Sequence, residues 1–564
     1  MNQPTPAIVS QDAVRRLPRV ALLLLCLAYV VPGFVGREPW KNADIAAFGD
    51  MFELARGHAS WLAPKLLGQP PEFDALLPYW LGAWAMQAAP GWMAPDFAAR
   101  IPFMLLLAMT LLATWHGVYS LARSTQAQPV PFAFGGEANP ADYARAIADA
   151  GLLALLACLG LAQLSHETTP ALAQASFTAL SFYGMAALAR QPASASISLI
   201  AGLAGLALSG APAMAVLFAT GGLVITLSDR DSRAESGGAA QLGRSAALLA
   251  GALLVAILIA SWLDLWHWRI NQSTFTRDWR PLGRLMVWFT WPAGPLALWT
   301  LWRWRRQLTS RHVALPLWFA IVAIVTTWVT PSSDRSLLLA LPALAALAAF
   351  SLPTLRRSVA ALIDWFTLLF FSGCAFVIWV VWISLQTGAP PQPAANVARL
   401  APGFEPSFSV LAFGAALAAT LAWAWLVRWR TGRHRMAIWK SLVLPAGGAA
   451  LCWLLLMTLW LPALDYARGY SPLVRNVKKY IDRPGCVEVL GLTRAQLAAF
   501  RYHGAMELRD AERGATCPWL VAAAPLQPAM PLALDMRDWQ LVTTIHRPTD
   551  ANENVLLYRR TAHR

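Results

Sequence analysis

Acid–base or metal chemistry needs carboxylates and imidazoles held together away from bulk water, and two places in the sequence supply them beside long apolar runs. The first is Gly36-Arg37-Glu38-Pro39-Trp40-Lys41-Asn42-Ala43-Asp44. Asp44 opens a short amphipathic stretch, 44–56, expected to lie on a membrane surface. The second is Ser165-His166-Glu167-Thr168-Thr169-Pro170, a tight turn between two apolar runs. Asp44 and Glu167 together suit general acid and base roles, or the binding of a divalent ion. Ordinary roles stand beside these: Asp is a good helix N-cap, and Glu and His are common on solvated turns. A third place, 265–284, carries His267, Arg269, Arg277, Asp278, Arg280 and Arg284. Arginine forks onto phosphate, so this segment reads as a surface for an anionic ligand or for lipid headgroups. The candidate metal ligands are Asp44, Glu167 and His267, although His267 alone makes no metal site.

These residues belong to a chain of 564 residues, 57% hydrophobic and 13% charged, with 28 Trp and 39 Pro. Soluble domains run about 25% charged, so the composition excludes an ordinary soluble enzyme and a disordered regulator. It fits a polytopic membrane protein with interfacial aromatics and proline-interrupted helices. The formal net charge of +15 does not point to nucleic acid, because Lys and Arg sit in short blocks between apolar runs. A spanning helix takes about 20 apolar residues, and that rule gives about thirteen spans. They are expected near 19–35, 99–122, 144–164, 170–189, 194–209, 212–228, 245–264, 285–302, 313–330, 335–354, 359–385, 406–428 and 437–461. Arginine-bearing connections alternate with nearly uncharged ones, which puts residues 1–18 in the cytoplasm and the C-terminal segment outside. No small-x-small cleavage site follows the first run, which reads as an uncleaved anchor.

Two outside segments are larger than connectors: 36–98, with surface helices, and the tail 463–564. The tail carries strand patterns at 487–490, 519–522, 539–545 and 555–558 and helix patterns at 471–482 and 493–503, hence a small α/β domain. Cys486 and Cys517 are the only cysteines in the tail, and outside the cytoplasm they are expected to form a disulfide. Cys26, Cys158, Cys374 and Cys452 lie in apolar runs as small hydrophobes. No P-loop, dinucleotide-binding, HExxH or CxxC pattern occurs, which excludes ATP hydrolysis by a P-loop within the chain.

This arrangement resembles the GT-C glycosyltransferases, in particular family 39, which includes protein O-mannosyltransferases and the bacterial lipid A aminoarabinose transferase. The resemblance is carried by Pro39-Trp40-Lys41-Asn42-Ala43-Asp44, Ser60-Trp61-Leu62-Ala63-Pro64, Gly68-Gln69-Pro70, Leu77-Pro78-Tyr79-Trp80 and His166-Glu167-Thr168. Further matches are 291–299 and Leu338-Leu339-Ala340-Leu341-Pro342. It implies an all-α, GT-C-like membrane domain over 19–462 with a small extracytoplasmic α/β C-terminal domain, in a bacterial inner membrane. It further implies transfer of a sugar from a polyprenyl-phosphate donor to a periplasmic lipid, glycan or protein acceptor, and no nucleic-acid partner. The family's catalytic Asp aligns with Ala43, and a one-residue shift makes Asp44, with Glu167, the expected catalytic pair; Lys41, Asp74, Tyr79 and His166 are the expected substrate contacts, and Arg269, Arg277 and Arg280 of the arginine-rich outer segment are expected to take over binding of the donor phosphate. The chain departs from the family where Ala43-Asp44 replaces Asp-Glu and where Phe73-Asp74-Ala75-Leu76 replaces Glu-Lys-Pro-Pro. Two other readings stay open: a homologue that binds a lipid-linked sugar or a partner without catalysis, and a lipid or glycan transporter.

Overall fold

The computed structural model describes residues 5–228, 239–266, 279–329, 333–432, 437–481, 485–511 and 516–561. Its helices of eight or more residues begin with α1 Arg19–Val30, α2 Ala43–Ala55, α3 Leu77–Ala88, α4 Pro95–Ala122 and α5 Pro140–Ala157. They continue with α6 Pro170–Ala187, α7 Pro192–Leu208, α8 Pro212–Ser228, α9 Ala239–Trp262, α10 Trp279–Thr290 and α11 Ala293–Arg303. Next come α12 Arg311–Val329, α13 Leu341–Ser351, α14 Arg357–Thr387, α15 Pro391–Leu400, α16 Val410–Thr431 and α17 Lys440–Leu456. The last three are α18 Leu461–Arg468, α19 Ser471–Lys478 and α20 Arg494–Tyr502. Among the described residues, six helices are long and apolar enough to cross a membrane, or seven if α17 and α18, bent by 69°, count as one span.

The expected runs thus appear as helices, but several are shorter than a full crossing. The run expected at 285–302 divides into α10 and α11 at Trp291-Pro292, where proline lacks the N–H that would continue the first helix. The run at 144–164 ends as α5 at Ala157, and α1, α7 and α8 are apolar but short.

The C-terminal segment folds around a five-stranded sheet of order β2-β1-β3-β5-β4. The strands are β1 Cys486–Leu490, β2 Glu507–Asp510, β3 Trp519–Ala523, β4 Trp539–Ile545 and β5 Val555–Arg560. β1 runs parallel to β2 and β3, while β5 runs antiparallel to β3 and β4. Four strands match the sequence pattern. β2, with Glu507, Arg509 and Asp510, is a charged edge strand without apolar alternation, and the sequence reading passed over it. Cys486 and Cys517 are disulfide-bonded, with Cα atoms 5.3 Å apart.

The expected placement of 44–56 on a membrane surface is corrected by the fold. Every residue of α2 except Ala55 is buried, because α3 and α20 of the C-terminal domain pack against it. Gly49 permits the approach of α20: a Cβ there would lie 2.5 Å from the Cβ of Ala498. Around this contact Asp50 pairs with Arg494 at 2.5 Å and Glu53 with Arg501 at 2.9 Å. Arg494 also donates to the carbonyl of Gln69, and Tyr502 donates to Asp96 of α4 at 3.0 Å. The small domain is therefore docked on the segment that carries Asp44. Gly49→Val should overpack this contact at a cost of about 1–3 kcal/mol. The expected readout is a lower thermal unfolding midpoint of the purified protein together with faster proteolysis after residue 463.

Candidate active site

Arg37 and Asp44 stand on either side of a turn in which Asn42 takes a positive φ of 68°, a conformation Asn tolerates better than most residues. The turn folds Asp44 back onto the main chain: its Oδ2 accepts the Trp40 N–H at 3.0 Å and pairs with Arg37 at 3.0 Å. Its Oδ1 accepts both the N–H and the hydroxyl of Thr168, each at 2.7 Å. Three hydrogen bonds and an ion pair occupy the carboxylate, which has roughly four acceptor positions. Asp44 is 1% exposed, and burial by itself would raise its pKa. The Arg37 charge and the Thr168 bonds outweigh that and hold it below the usual carboxylate range. Asp44 is therefore neither the cap of α2 nor a solvated loop acid.

The bonds to Thr168 bring Glu167 beside Asp44, so the two acids singled out from the sequence meet, as do the segments that carry them. Pro170 opens α6 and stops the intervening turn from joining the helix. Glu167 Oε2 takes a fork from Arg335, with Nε at 3.2 Å and an Nη at 2.9 Å. Among the described residues Oε1 receives one bond, from Gln163 at 3.4 Å, and keeps acceptor capacity. Burial, followed by the Asp44 charge and opposed by Arg335, leaves the Glu167 pKa raised.

His166 sits in the same turn but faces inward. Its ring packs on Phe34 and Trp453, and its nitrogens lie 2.5 Å from the Ala162 carbonyl and 3.0 Å from that of Tyr29. Burial holds its pKa at about 3, so the ring is neutral. Its carbonyl accepts a hydrogen bond from Arg37. Ala162 and Trp453 also line a cavity of about 590 Å³ with Leu159, Phe370, Val377 and Ile378, between the end of α5 and helices α14 and α17. Through Trp453 and Ala162, both in contact with His166, this apolar groove lies next to the ionic cluster.

A second layer surrounds Trp40. The guanidinium groups of Arg37 and Arg468 lie over its ring, 4.6 and 5.2 Å from the centroid, and its indole N–H donates to Asp465 at 2.7 Å. Burial pushes Asp465 up to about 7, against the Trp40 bond and with the Glu38 charge. Arg100 pairs with Asp96 at 3.0 Å and acts electrostatically on Asp44.

The remaining expected contacts are dispersed. Lys41 pairs with Asp550 of the C-terminal domain at 2.8 Å. Tyr79 is 1% exposed, and its hydroxyl donates to the Phe73 carbonyl at 3.3 Å. Asp74 is half-buried just before α3, and Arg280 is exposed in the first turn of α10. His267, Arg269 and Arg277 lie outside the described residues. Among the described residues, no group of three or more His, Cys, Asp or Glu is placed to hold a metal ion. Arg37, Arg335, Arg468 and Asp465 were not selected from the sequence. Their charges are ordinary flanks of apolar runs, and only the fold gathers them.

No family model and no curated protein sequence matches the chain. The fold does match solved structures of ArnT from Cupriavidus metallidurans. The structure described as bound to undecaprenyl phosphate aligns over 96% of this chain and 98% of that one, with a TM-score of 0.61 and 14% identity. The apo structure aligns over 96% and 97%, with a TM-score of 0.60 and 14% identity. The chain is thus a multi-pass membrane protein of GT-C-like fold, as the sequence resemblance implies.

The docking contact predicts a pH dependence. Burial, opposed by Arg494 and aided by Glu53, raises Asp50 to about 6. A carboxyl with a folded-state pKa above its unfolded value binds more protons when folded, so its contribution makes stability fall as pH rises through that window. Between about pH 4 and 6, Asp50→Asn should remove this part of the slope in the unfolding midpoint. An unchanged slope would mean that Asp50 titrates normally.

Proposed function

We propose that the protein is a membrane glycosyltransferase that moves a sugar from a polyprenyl-phosphate donor to an acceptor on the side of its C-terminal domain, the periplasmic side of a bacterial inner membrane. One observation carries this reading: His166 packs on Trp453, which lines the apolar groove, and its carbonyl accepts from Arg37 of the buried carboxylate–arginine cluster, so a lipid tail and its charged head would be received side by side. The groove volume falls in the range of about 300–1,000 Å³ typical of small-molecule sites. That the same fold in ArnT is described with undecaprenyl phosphate bound supports the choice of donor.

In this reading Glu167, whose pKa is raised and whose Oε1 has room, is the general base. An acceptor hydroxyl attacks the anomeric carbon and passes its proton to Glu167. The bond from that carbon to the phosphate oxygen breaks, and the electron pair leaves with the polyprenyl phosphate, whose charge the arginines stabilise. Asp44, engaged by three hydrogen bonds and the Arg37 ion pair, holds the loop and the turn together and keeps Arg37 in place. This assigns the proton transfer to Glu167 and the anchoring to Asp44, where the family resemblance gave both acids catalytic roles.

Incubation of the purified protein with radiolabelled polyprenyl-phosphate sugars and with membrane-lipid and glycan acceptors tests the proposal. Glu167→Gln is expected to lower turnover by about 10²–10⁴-fold, the usual range for a general base, with donor affinity retained. Asp44→Asn leaves Arg37 buried without its counter-charge and should lower stability by about 3–5 kcal/mol along with activity. Donor binding without turnover by the wild-type protein would favour the non-catalytic reading, and no donor binding would end the lipid-linked sugar reading altogether.

A further inference from the structure

The cations of the cluster are almost all spoken for. Arg37 pairs with Asp44, Arg335 with Glu167 and Arg100 with Asp96, each at 2.9–3.0 Å. Arg468 is the exception. Among the described residues its guanidinium makes no hydrogen bond and no ion pair; its one recorded side-chain contact is the Trp40 ring, 5.2 Å away. It is half-buried, and it feels both the Glu167 carboxylate and the Arg37 guanidinium.

The backbone of Arg468, by contrast, is held from two sides. Its carbonyl accepts the Lys41 N–H at 2.8 Å and an Arg547 guanidinium N–H at 3.3 Å. Arg547 also donates to the carbonyls of Ala467 and Gly469 and pairs with Glu553, so the C-terminal domain pins the end of α18. Lys41 is itself paired with Asp550 of the same domain. The Trp40 ring under the guanidinium is fixed in turn by Asp465. An arginine with a clamped backbone, an aromatic support and five unspent donors is pre-organised for an anion it does not yet hold. Next to it, the Nε of Arg37 is buried and also lacks a hydrogen-bond partner. Two unspent guanidinium edges thus lie over one indole, beside an ionic cluster whose other pairs are closed.

We propose that Arg468 binds the phosphate of the lipid-linked donor, with the free edge of Arg37 as its second contact. The inference rests on the glycosyltransferase reading and deepens it by naming the residue that meets the leaving group. It also gives the C-terminal domain a role in the site, since Arg547 and Lys41 set the position of Arg468 from outside the membrane helices.

The test measures binding of undecaprenyl phosphate and of the uncharged undecaprenol to the full-length protein in nanodiscs, for wild type, Arg468→Gln and Arg468→Lys. Loss of a charged hydrogen-bond donor to phosphate is expected to weaken undecaprenyl phosphate binding by about tenfold to a hundredfold. Undecaprenol binding and the unfolding midpoint should stay at wild-type values, and Arg468→Lys should recover part of the loss. Equal phosphate affinity in wild type and Arg468→Gln would overturn the assignment and leave the glycosyltransferase reading intact. Parallel loss of undecaprenol binding would also overturn it, because a structural role would then account for the effect. If the wild-type protein binds neither lipid, the glycosyltransferase reading fails and the assignment with it.

Discussion

The carboxylate of Asp44 is the knot of this structure. A fully buried charge is tolerated only when its desolvation is offset by close, well-directed partners, and here the main chain, an arginine and a threonine provide them. The two bonds from Thr168 tie the segment after the first helix to the turn between α5 and α6. That turn carries Glu167 to Arg335 and packs His166 on Trp453, which lines the groove. Removing either Asp44 or Arg37 would leave the other buried without its counter-charge.

The second constraint is the docking of the C-terminal domain. The close approach of α20 to α2 needs a glycine at position 49 and is reinforced by two ion pairs, from Asp50 and Glu53 of the helix that also carries Asp44. The domain also grips the end of α18 through Arg547. It is thus built into the site, through backbone carbonyls and buried pairs, and is not a separate module on a tether.

Much of the architecture was legible because its physics is local. Apolar runs of spanning length, proline at helix starts and alternating strands in 486–561 follow from hydrophobic period and backbone restriction. The disulfide followed from two cysteines in a polar segment. The strand β2 escaped notice because its charged side chains face solvent at a sheet edge. The surface placement of 44–56 failed for a related reason: an amphipathic pattern reports that a face is apolar, and the fold supplied α3 and α20 where a lipid surface was expected.

The candidate site divides along the same line. Asp44, Glu167 and His166 stood out in the sequence because polar residues beside apolar runs are few, and each costs free energy to bury. That determined which acids deserved testing, while the alternation of arginine-bearing connections gave the side of the membrane on which they are expected. Tertiary structure decided their roles: three hydrogen bonds and an ion pair converge on Asp44, one fork and a spare oxygen remain for Glu167, and the His166 ring turns into the core. It also gathered Arg37, Arg100, Arg335 and Arg468, which are far apart in the chain and have no shared pattern. Charge pairing acts through space over a few ångströms, so no reading of neighbours along the chain can assign it.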